Sequence, residues 1–271
     1  MKKIVLMRLI IGCLICQSAY AIDNLRIPDL RSLSLGGGGV TETPLYNPAL
    51  LAVLSQHKLY ANYYNRYSVS ELATMSGGFY FANDYLPAGL EVTSFGYEEY
   101  RESLFRFSLG KKVAEKWTIG IAVQYMLLQS ELFEESSGRI STDVGITLRP
   151  VENVLTGLSI LHLPSFQMGD KTIDNKRIAS YRMQFGFNWQ VMNAVLITAT
   201  TDYCEEDRFA GSFGVEYMPL EKFGIRAGLR SSPLKPSFGV GYQIADICID
   251  VGTQYHAVLG LSMGLGISFS F

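Results

Sequence analysis

The last eleven residues alternate without exception. Leu261, Met263, Leu265, Ile267, Phe269 and Phe271 take the odd positions, and Ser262, Gly264, Gly266, Ser268 and Ser270 the even ones. A period of two is that of a β-strand, whose successive side chains point to opposite faces. One face is apolar throughout and the other small or polar throughout, so the two sides meet different surroundings. The pattern recurs upstream. Trp117, Ile119, Ile121, Val123, Tyr125 and Leu127 oppose Thr118, Gly120, Ala122 and Gln124, and Tyr181, Met183, Phe185, Phe187 and Trp189 oppose Arg182, Gln184, Gly186 and Asn188. Phe223, Ile225, Ala227 and Leu229 oppose Gly224, Arg226, Gly228 and Arg230.

From residue 57 on, such segments fill the chain: 57–66, 72–83, 86–96, 101–112, 116–130, 139–150, 153–163, 180–191, 193–203, 208–218, 222–231, 236–244, 246–256 and 261–271. A tilted strand needs ~9–11 residues to cross a bilayer, and these segments reach that length. Their connections sort by parity. Those near Asp84–Tyr85, Val113–Glu115, Val151–Glu152, Met192, Pro219–Glu221 and Ala245 are tight, whereas the intervening set holds Glu131–Gly138 and Pro164–Ala179. Short turns on one rim and longer loops on the other are the habit of outer-membrane barrels. A soluble β-sandwich also alternates, with its apolar face inward. The small and polar second face, an export signal and the terminal Phe271 favour lipid outside. An even strand count allows closure, which leaves no unpaired edge in lipid. The expectation is an all-β, transmembrane antiparallel barrel of about 14 strands in the bacterial outer membrane, with both termini periplasmic and membrane lipid around it.

Composition narrows the alternatives. The chain of 271 residues is 48% hydrophobic and only 18% charged, against ~25% for an ordinary soluble domain. That apolar content excludes disorder. Beyond the N-terminus no run of ~18 apolar residues suggests a membrane helix. A net charge of −2 gives no basic excess for nucleic acid. Residues 1–21 read as a cleaved export signal: Lys2, Lys3 and Arg8, an apolar stretch from Leu9 to Cys16, then Ser18-Ala19-Tyr20-Ala21. A lipoprotein signal ending at Cys13 competes but leaves little apolar core before the cysteine. Cleavage moves the net charge to −5 and leaves Cys204 and Cys248, at opposite barrel ends and without metal-ligand spacing.

Residues 22–56 do not alternate and form a separate segment before the barrel at 57–271. Gly36-Gly37-Gly38-Gly39 permits backbone turns closed to other residues. No Lys-Ser/Thr pair follows it, so it is not a phosphate loop. Asn47 and Pro48 are a helix cap and a first-turn proline, which predicts a brief helix from Pro48 to Leu54.

No catalytic constellation, metal cluster or cofactor motif emerges. His57 opens the first segment. His162 shares parity with Leu158 and Ile160 and is expected at the lipid-facing rim, and His256 shares parity with Asp250 and is expected inward; neither has a nucleophile motif nearby. Arg106, Asp143, Arg149, Arg182, Glu216, Arg226, Arg230 and Asp250 all fall on the non-apolar face, where charge avoids the ~2–4 kcal/mol cost of a midplane lipid position. They predict a polar lumen whose ions pair with each other and with the preceding segment; a selective pore is the sharper alternative. The acidic loops Glu131–Glu135 and Glu205–Asp207 read as solvated.

The Gly stretch Leu35–Val40, a spacer, Asn47-Pro48-Ala49 and then the first strand resembles the N-terminal pattern of FadL-type barrels. That family includes long-chain fatty acid channels and the PorV and PorQ proteins linked to type IX secretion in Bacteroidetes-type bacteria. Gly157-Leu158-Ser159 with His162-Leu163 is also similar to strands of the PorP family. The resemblance implies fourteen strands and a hatch, residues 22–56, folded into the lumen through Gly36–Gly39, Asn47, Pro48 and Ala49. A C-terminal strand ending in Phe269 and Phe271 is the address read by the barrel assembly machinery. The fatty acid channels are longer, with large apolar outer loops, whereas Pro164–Ala179 is polar past Met168. The expected function is therefore a non-enzymatic envelope or secretion accessory of the PorV/PorQ kind that binds secretion-system proteins. Passive uptake of a hydrophobic ligand is the first alternative, and a structural barrel or surface antigen the second.

Overall fold

The computed structural model describes residues 24–26, 29–131, 136–169, 179–205 and 208–271. The expected signal, Glu134–Glu135 and Glu206–Asp207 lie outside the described residues.

Fifteen strands form one sheet closed on itself: β1 (Lys58–Asn65), β2 (Ala73–Phe81), β3 (Ala88–Gly96), β4 (Tyr100–Ala114), β5 (Trp117–Ser130), β6 (Ser137–Val151), β7 (Val154–Leu161), β8 (Ser165–Gly169), β9 (Arg182–Met192), β10 (Val195–Cys204), β11 (Arg208–Leu220), β12 (Phe223–Ser231), β13 (Leu234–Ile244), β14 (Ile247–His256) and β15 (Gly260–Ser270). Neighbours are antiparallel, and β1 pairs with β15 to complete the circle, from Lys58↔Ser270 to Asn65↔Met263. His57 and Phe271 exchange two backbone hydrogen bonds of 3.0 Å just beyond that seam, and the Phe271 ring lies 5.4 Å from His57 and 5.2 Å from Phe269.

The wall has fourteen strand positions because β7 and β8 share one. β7 pairs with β6 near the turns (Leu148↔Thr156), and β8 takes over along the same β6 (Ser141↔Ser165 to Ser137↔Gly169). Between them His162 has φ +62°, a left-handed backbone conformation that breaks a strand, and Pro164 has no N–H to give to a ladder. The polar stretch expected as loop 164–179 therefore starts as wall. Among the described residues β8 pairs with β6 alone, while β7 pairs on its other side with β9. The tight connections all fall on the rim that holds His57 and Phe271, here the turn rim; the opposite end is the loop rim.

Polarity is inverted relative to a soluble fold. Ile121 is 49% exposed and Leu265 45%, whereas inward Gln124 is 1% exposed and Asp143 fully buried. This arrangement, with one closed wall, overturns the sandwich reading: the apolar face has no second sheet to pack on and suits lipid.

Candidate functional site

The interior is occupied by the chain's own N-terminal segment. From Leu30 to Leu51 every residue but Arg31, Gly37 and Glu42 is buried. Two short helices shape it. α1 (Leu30–Ser34) is capped by Asp29, whose carboxylate accepts from the Ser32 N–H at 2.8 Å. A 3-10 helix spans Pro48–Val53 and is capped by Asn47, whose side-chain oxygen accepts from the Ala49 N–H at 3.1 Å. The second was expected as a brief helix and is one, with the tighter winding common in short pieces. The first carries no Pro and no wide apolar stripe in five residues, so periodicity does not announce it.

The segment runs once around the inside of the wall, from the loop end at Leu25 to the turn end at Val53. Leu25 and Arg26 lie against β3–β6, α1 against β12–β15, Leu35–Gly36 against β11 and β12, Gly38–Thr41 against β7, β9 and β10, and Asn47–Ala52 against β4–β6. Its seat is a belt of inward glycines paired across the strands: Gly110↔Gly120↔Gly145, Gly157↔Gly186, Gly214↔Gly228 and Gly239↔Gly252↔Gly264. A Cβ on Gly214 would stand 2.5 Å from the Leu35 carbonyl oxygen, and one on Gly157 2.7 Å from that of Val40. The small face of the alternating pattern is thus where one backbone lies against another. Within the Gly stretch, Gly36 has φ +93° and a Cβ there would stand 2.9 Å from the Leu229 oxygen, so no other residue fits.

Among the described residues most inward charges gather into three groups, with Glu102 and Arg66 apart from them beside Asn24. In the first, Asp143 receives the Arg26 guanidinium at 2.5 Å and faces Arg106 Nε at 3.5 Å, while Arg106 also pairs with Glu91. Gln124 donates to Asp143 at 3.0 Å, and the Tyr80 hydroxyl donates to Glu91 at 2.7 Å. In the second, Glu216 holds Arg31 at 2.5 Å and Arg226 at 2.6 Å, and Arg226 reaches on to Asp250. In the third, Asp202 sits 2.7 Å from Arg230 and 3.9 Å from Arg182. Buried charge is costly unless paired, and the first two groups satisfy that by joining wall to segment through Arg26 and Arg31. Glu42, on the segment, accepts from Thr198 at 2.5 Å; burial pushes its pKa up against the hydrogen bonds from Thr198 and Thr41.

Of the expected inward residues, Arg106, Asp143, Glu216, Arg226 and Asp250 are brought together with the segment, Arg182 and Arg230 flank Asp202, and Arg149 stands exposed at the turn rim. Glu91, Glu102, Asp202, Arg26, Arg31 and Arg66 were missed; the first three share the same parity and would have followed from extending that count to every strand. One expectation is corrected. His162 does not face lipid: it is 5% exposed, its backbone N–H donates to Asp143 at 2.9 Å, and its Nδ1 lies 2.9 Å from Gln124 Nε2. The positive φ at His162 ends the alternation on which the parity argument rested. His256 is half-buried at the loop end of β14, where its Nδ1 accepts from the Val258 and Leu259 N–H groups. Cys204 and Cys248 are free thiols, and among the described residues no three metal-ligating side chains cluster.

Toward the loop rim the lining turns apolar. Phe95, Leu104 and Met126 are inward and buried, with Ala179 and Leu25 among them and Leu72 and Tyr100 packed alongside. The Arg66 guanidinium lies 5.1 Å over the Phe95 ring.

No family model matches the chain, and no curated protein matches it in sequence. Solved structures do match in shape. A toluene transporter of P. putida, TodX, superposes with a TM-score of 0.68 at 11% identity over 89% of this chain and 98% of its own. The CymD monoaromatic hydrocarbon channel gives 0.67, 11%, 89% and 97%, and a Pseudomonas aeruginosa FadL homologue 0.60, 13%, 93% and 99%. At such identity the likeness speaks for architecture: the chain shares the closed fourteen-position antiparallel barrel of these channels.

Proposed function

We propose that this protein is a non-enzymatic outer-membrane channel for small hydrophobic molecules, with residues 22–56 as its hatch. The observation that carries the reading is the apolar lining of Phe95, Leu104 and Met126 at the loop end of an otherwise polar lumen, covered by Leu25 of the N-terminal segment. The lining is already out of water under Leu25, so a hydrophobic guest entering from the loop rim gains by taking its own apolar surface from water, at ~25 cal/mol per Å2. It does so by displacing Leu25, which is next in sequence to the Arg26 that ties the segment to Asp143. The shared architecture with a toluene transporter and a monoaromatic hydrocarbon channel supports the same reading. In this orientation the turn rim, with the C-terminal Phe271, is periplasmic, and Phe269 and Phe271 are the residues the barrel assembly machinery would read; the described chain begins at the other end, where Asn24 donates to Glu102 at 2.9 Å.

The secretion-accessory reading has no comparable support. The residues that suggested it, Gly36–Gly39 and Asn47–Ala49, are spent inside the barrel: Asn47 donates to the Val40 and Ile146 carbonyls, and Gly36 accepts no side chain at its seat. They offer a protein partner no surface.

The test is accumulation of radiolabelled toluene and of a fluorescent long-chain acyl probe by cells expressing the protein, against cells expressing a Leu104→Asp, Met126→Asp variant. The expected result is faster uptake of at least one probe with the wild-type chain and loss of that gain in the variant. Equal uptake with and without the protein would overturn the channel reading.

A further inference from the structure

At the turn rim, under the 3-10 helix, lies a cavity of about 360 Å3 that the apolar lining at the other end does not account for. Its roof is Ala52 and Val53, the latter 41% exposed. Its sides carry Lys112, Lys116 and Arg149 against a single carboxylate, Glu115. The strand register explains the gathering. Lys112 opposes Thr118 across β4–β5, and Thr118 opposes Thr147 across β5–β6, so Lys112, Thr118 and Thr147 form one inward row. Arg149 follows Thr147 at the same parity and bonds through its backbone N–H to the Lys116 oxygen at 2.9 Å. The threonines hold the roof in place: their hydroxyls lie 2.6 Å apart and Thr118 donates to the Ala49 carbonyl at 3.0 Å.

Among the described residues none of the three cations forms an ion pair. Lys116 Nζ donates to the Pro150 carbonyl at 3.0 Å and Arg149 to that of Glu152 at 3.5 Å. Both partners are neutral, and with Glu115 as the one carboxylate in the lining a net positive charge remains. Three cations and one acid around a concave mouth focus a positive potential there. A guanidinium adds a planar fork suited to the paired oxygens of a carboxylate or phosphate. An apolar roof beside an oxyanion-seeking rim fits neither a bare ion nor a hydrocarbon.

We propose that this cavity is a second binding site, for an amphiphile with an oxyanion head, carboxylate or phosphoryl, on an apolar body. The head sits among Lys112, Lys116 and Arg149, and the body lies against Ala52 and Val53. The site is separate from the loop-end lining and does not depend on transport.

The test is equilibrium binding to the purified barrel in nanodiscs of neutral lipid, with empty nanodiscs as the blank. Octyl phosphate, octanoate, 1-octanol and inorganic phosphate are the probes. Octyl phosphate or octanoate should bind at least roughly tenfold more tightly than 1-octanol and inorganic phosphate, a difference of about 1.4 kcal/mol, and more weakly as salt is added. The tighter of the two names the head the site takes. The triple variant Lys112→Gln, Lys116→Gln, Arg149→Gln should lose that preference, as should Val53→Asp, which puts a carboxylate in the roof. All four positions are exposed, so folding is preserved and is checked by the heat-dependent gel shift of the barrel. Binding of 1-octanol that equals that of octyl phosphate and falls with it in the triple variant, or undiminished binding of octyl phosphate and octanoate in both variants, overturns the proposal; 1-octanol bound equally by wild type and triple variant reports the loop-end lining instead. Because binding is read without flux, these outcomes are distinct from a failed uptake experiment.

Discussion

Replacing Asp143 by asparagine is expected to free the N-terminal segment from the wall. The carboxylate is fully buried and accepts from Arg26 at 2.5 Å, Gln124 at 3.0 Å and the His162 backbone N–H at 2.9 Å, with Arg106 Nε 3.5 Å away as a second counter-charge. An asparagine keeps the shape, and its oxygen can still accept from His162 and Gln124. Its amide group then turns donors toward the Arg26 guanidinium, and that buried cation loses the charge of Asp143. Breaking a buried pair from one side costs about 3–5 kcal/mol. Glu91 still compensates Arg106, so the loss falls on Arg26, whose other acceptors include the neutral Leu45 carbonyl at 3.2 Å and Gln124 at 2.9 Å. The measurable result is a lower urea midpoint together with trypsin cleavage at Arg26, which burial protects in the wild type. Asp202→Asn is the contrast. Asp202 is as deeply buried but pairs with Arg182 and Arg230, both on the wall. It should lower the midpoint and leave trypsin resistance intact. Equal cleavage in the two variants would mean that Arg26–Asp143 does not hold the segment.

Much of this architecture is legible in the chain, because alternation is a local signal with a global meaning. Leu261–Phe271 states both that a strand exists and that its faces differ, and the parity of the connections places the turn rim without any structure. Where local order breaks, the reading fails. At His162 one residue with positive φ turned a side chain from the expected lipid face to the Asp143 cluster, and parity carries no warning of such a change. Pro164 reads as the start of a loop, yet β8 resumes pairing one residue later because β6 extends past the break and offers a free edge. The site was half legible. Arg106, Glu216, Arg226 and Asp250 follow from parity within strands. Their partners Arg26 and Arg31 lie in a segment with no period, nearly two hundred residues before Glu216, and nothing local couples them. The glycines were visible as a small face, but that they seat a second backbone follows only from the path of residues 30–52 around the wall.

That belt leads to the second large effect. Gly120→Ala and Gly228→Ala should each unseat the segment from a different side. A Cβ on Gly120 would run into the Pro48 carbonyl carbon and the Ala49 nitrogen, and one on Gly228 into the Gly36 nitrogen and the Leu35 carbonyl carbon. Neither obstacle is the end of a flexible side chain. Ala49 is fixed by the Asn47 cap on its N–H and by Thr118 on its carbonyl, and Gly36 donates to Ser237 at 3.1 Å. Overpacking against groups that cannot rotate away costs about 1–3 kcal/mol per site, and the two positions share no partner, so their effects should add. The double variant is therefore expected to lose about 2–6 kcal/mol of the segment's hold on the wall while the strands, which gain intrinsic preference when glycine becomes alanine, stay paired. Gly211→Ala separates the two effects, since a Cβ there meets nothing nearer than the Ser231 hydroxyl at 3.6 Å. It should behave as wild type. Single-channel conductance in a planar bilayer reads the consequence: the wild type and Gly211→Ala stay closed or nearly so, and the double variant opens to ions because the ring no longer lies flat against the wall. Unchanged conductance and trypsin resistance in the double variant would show that the segment does not depend on the belt, and that the small inward face serves some other need of the barrel.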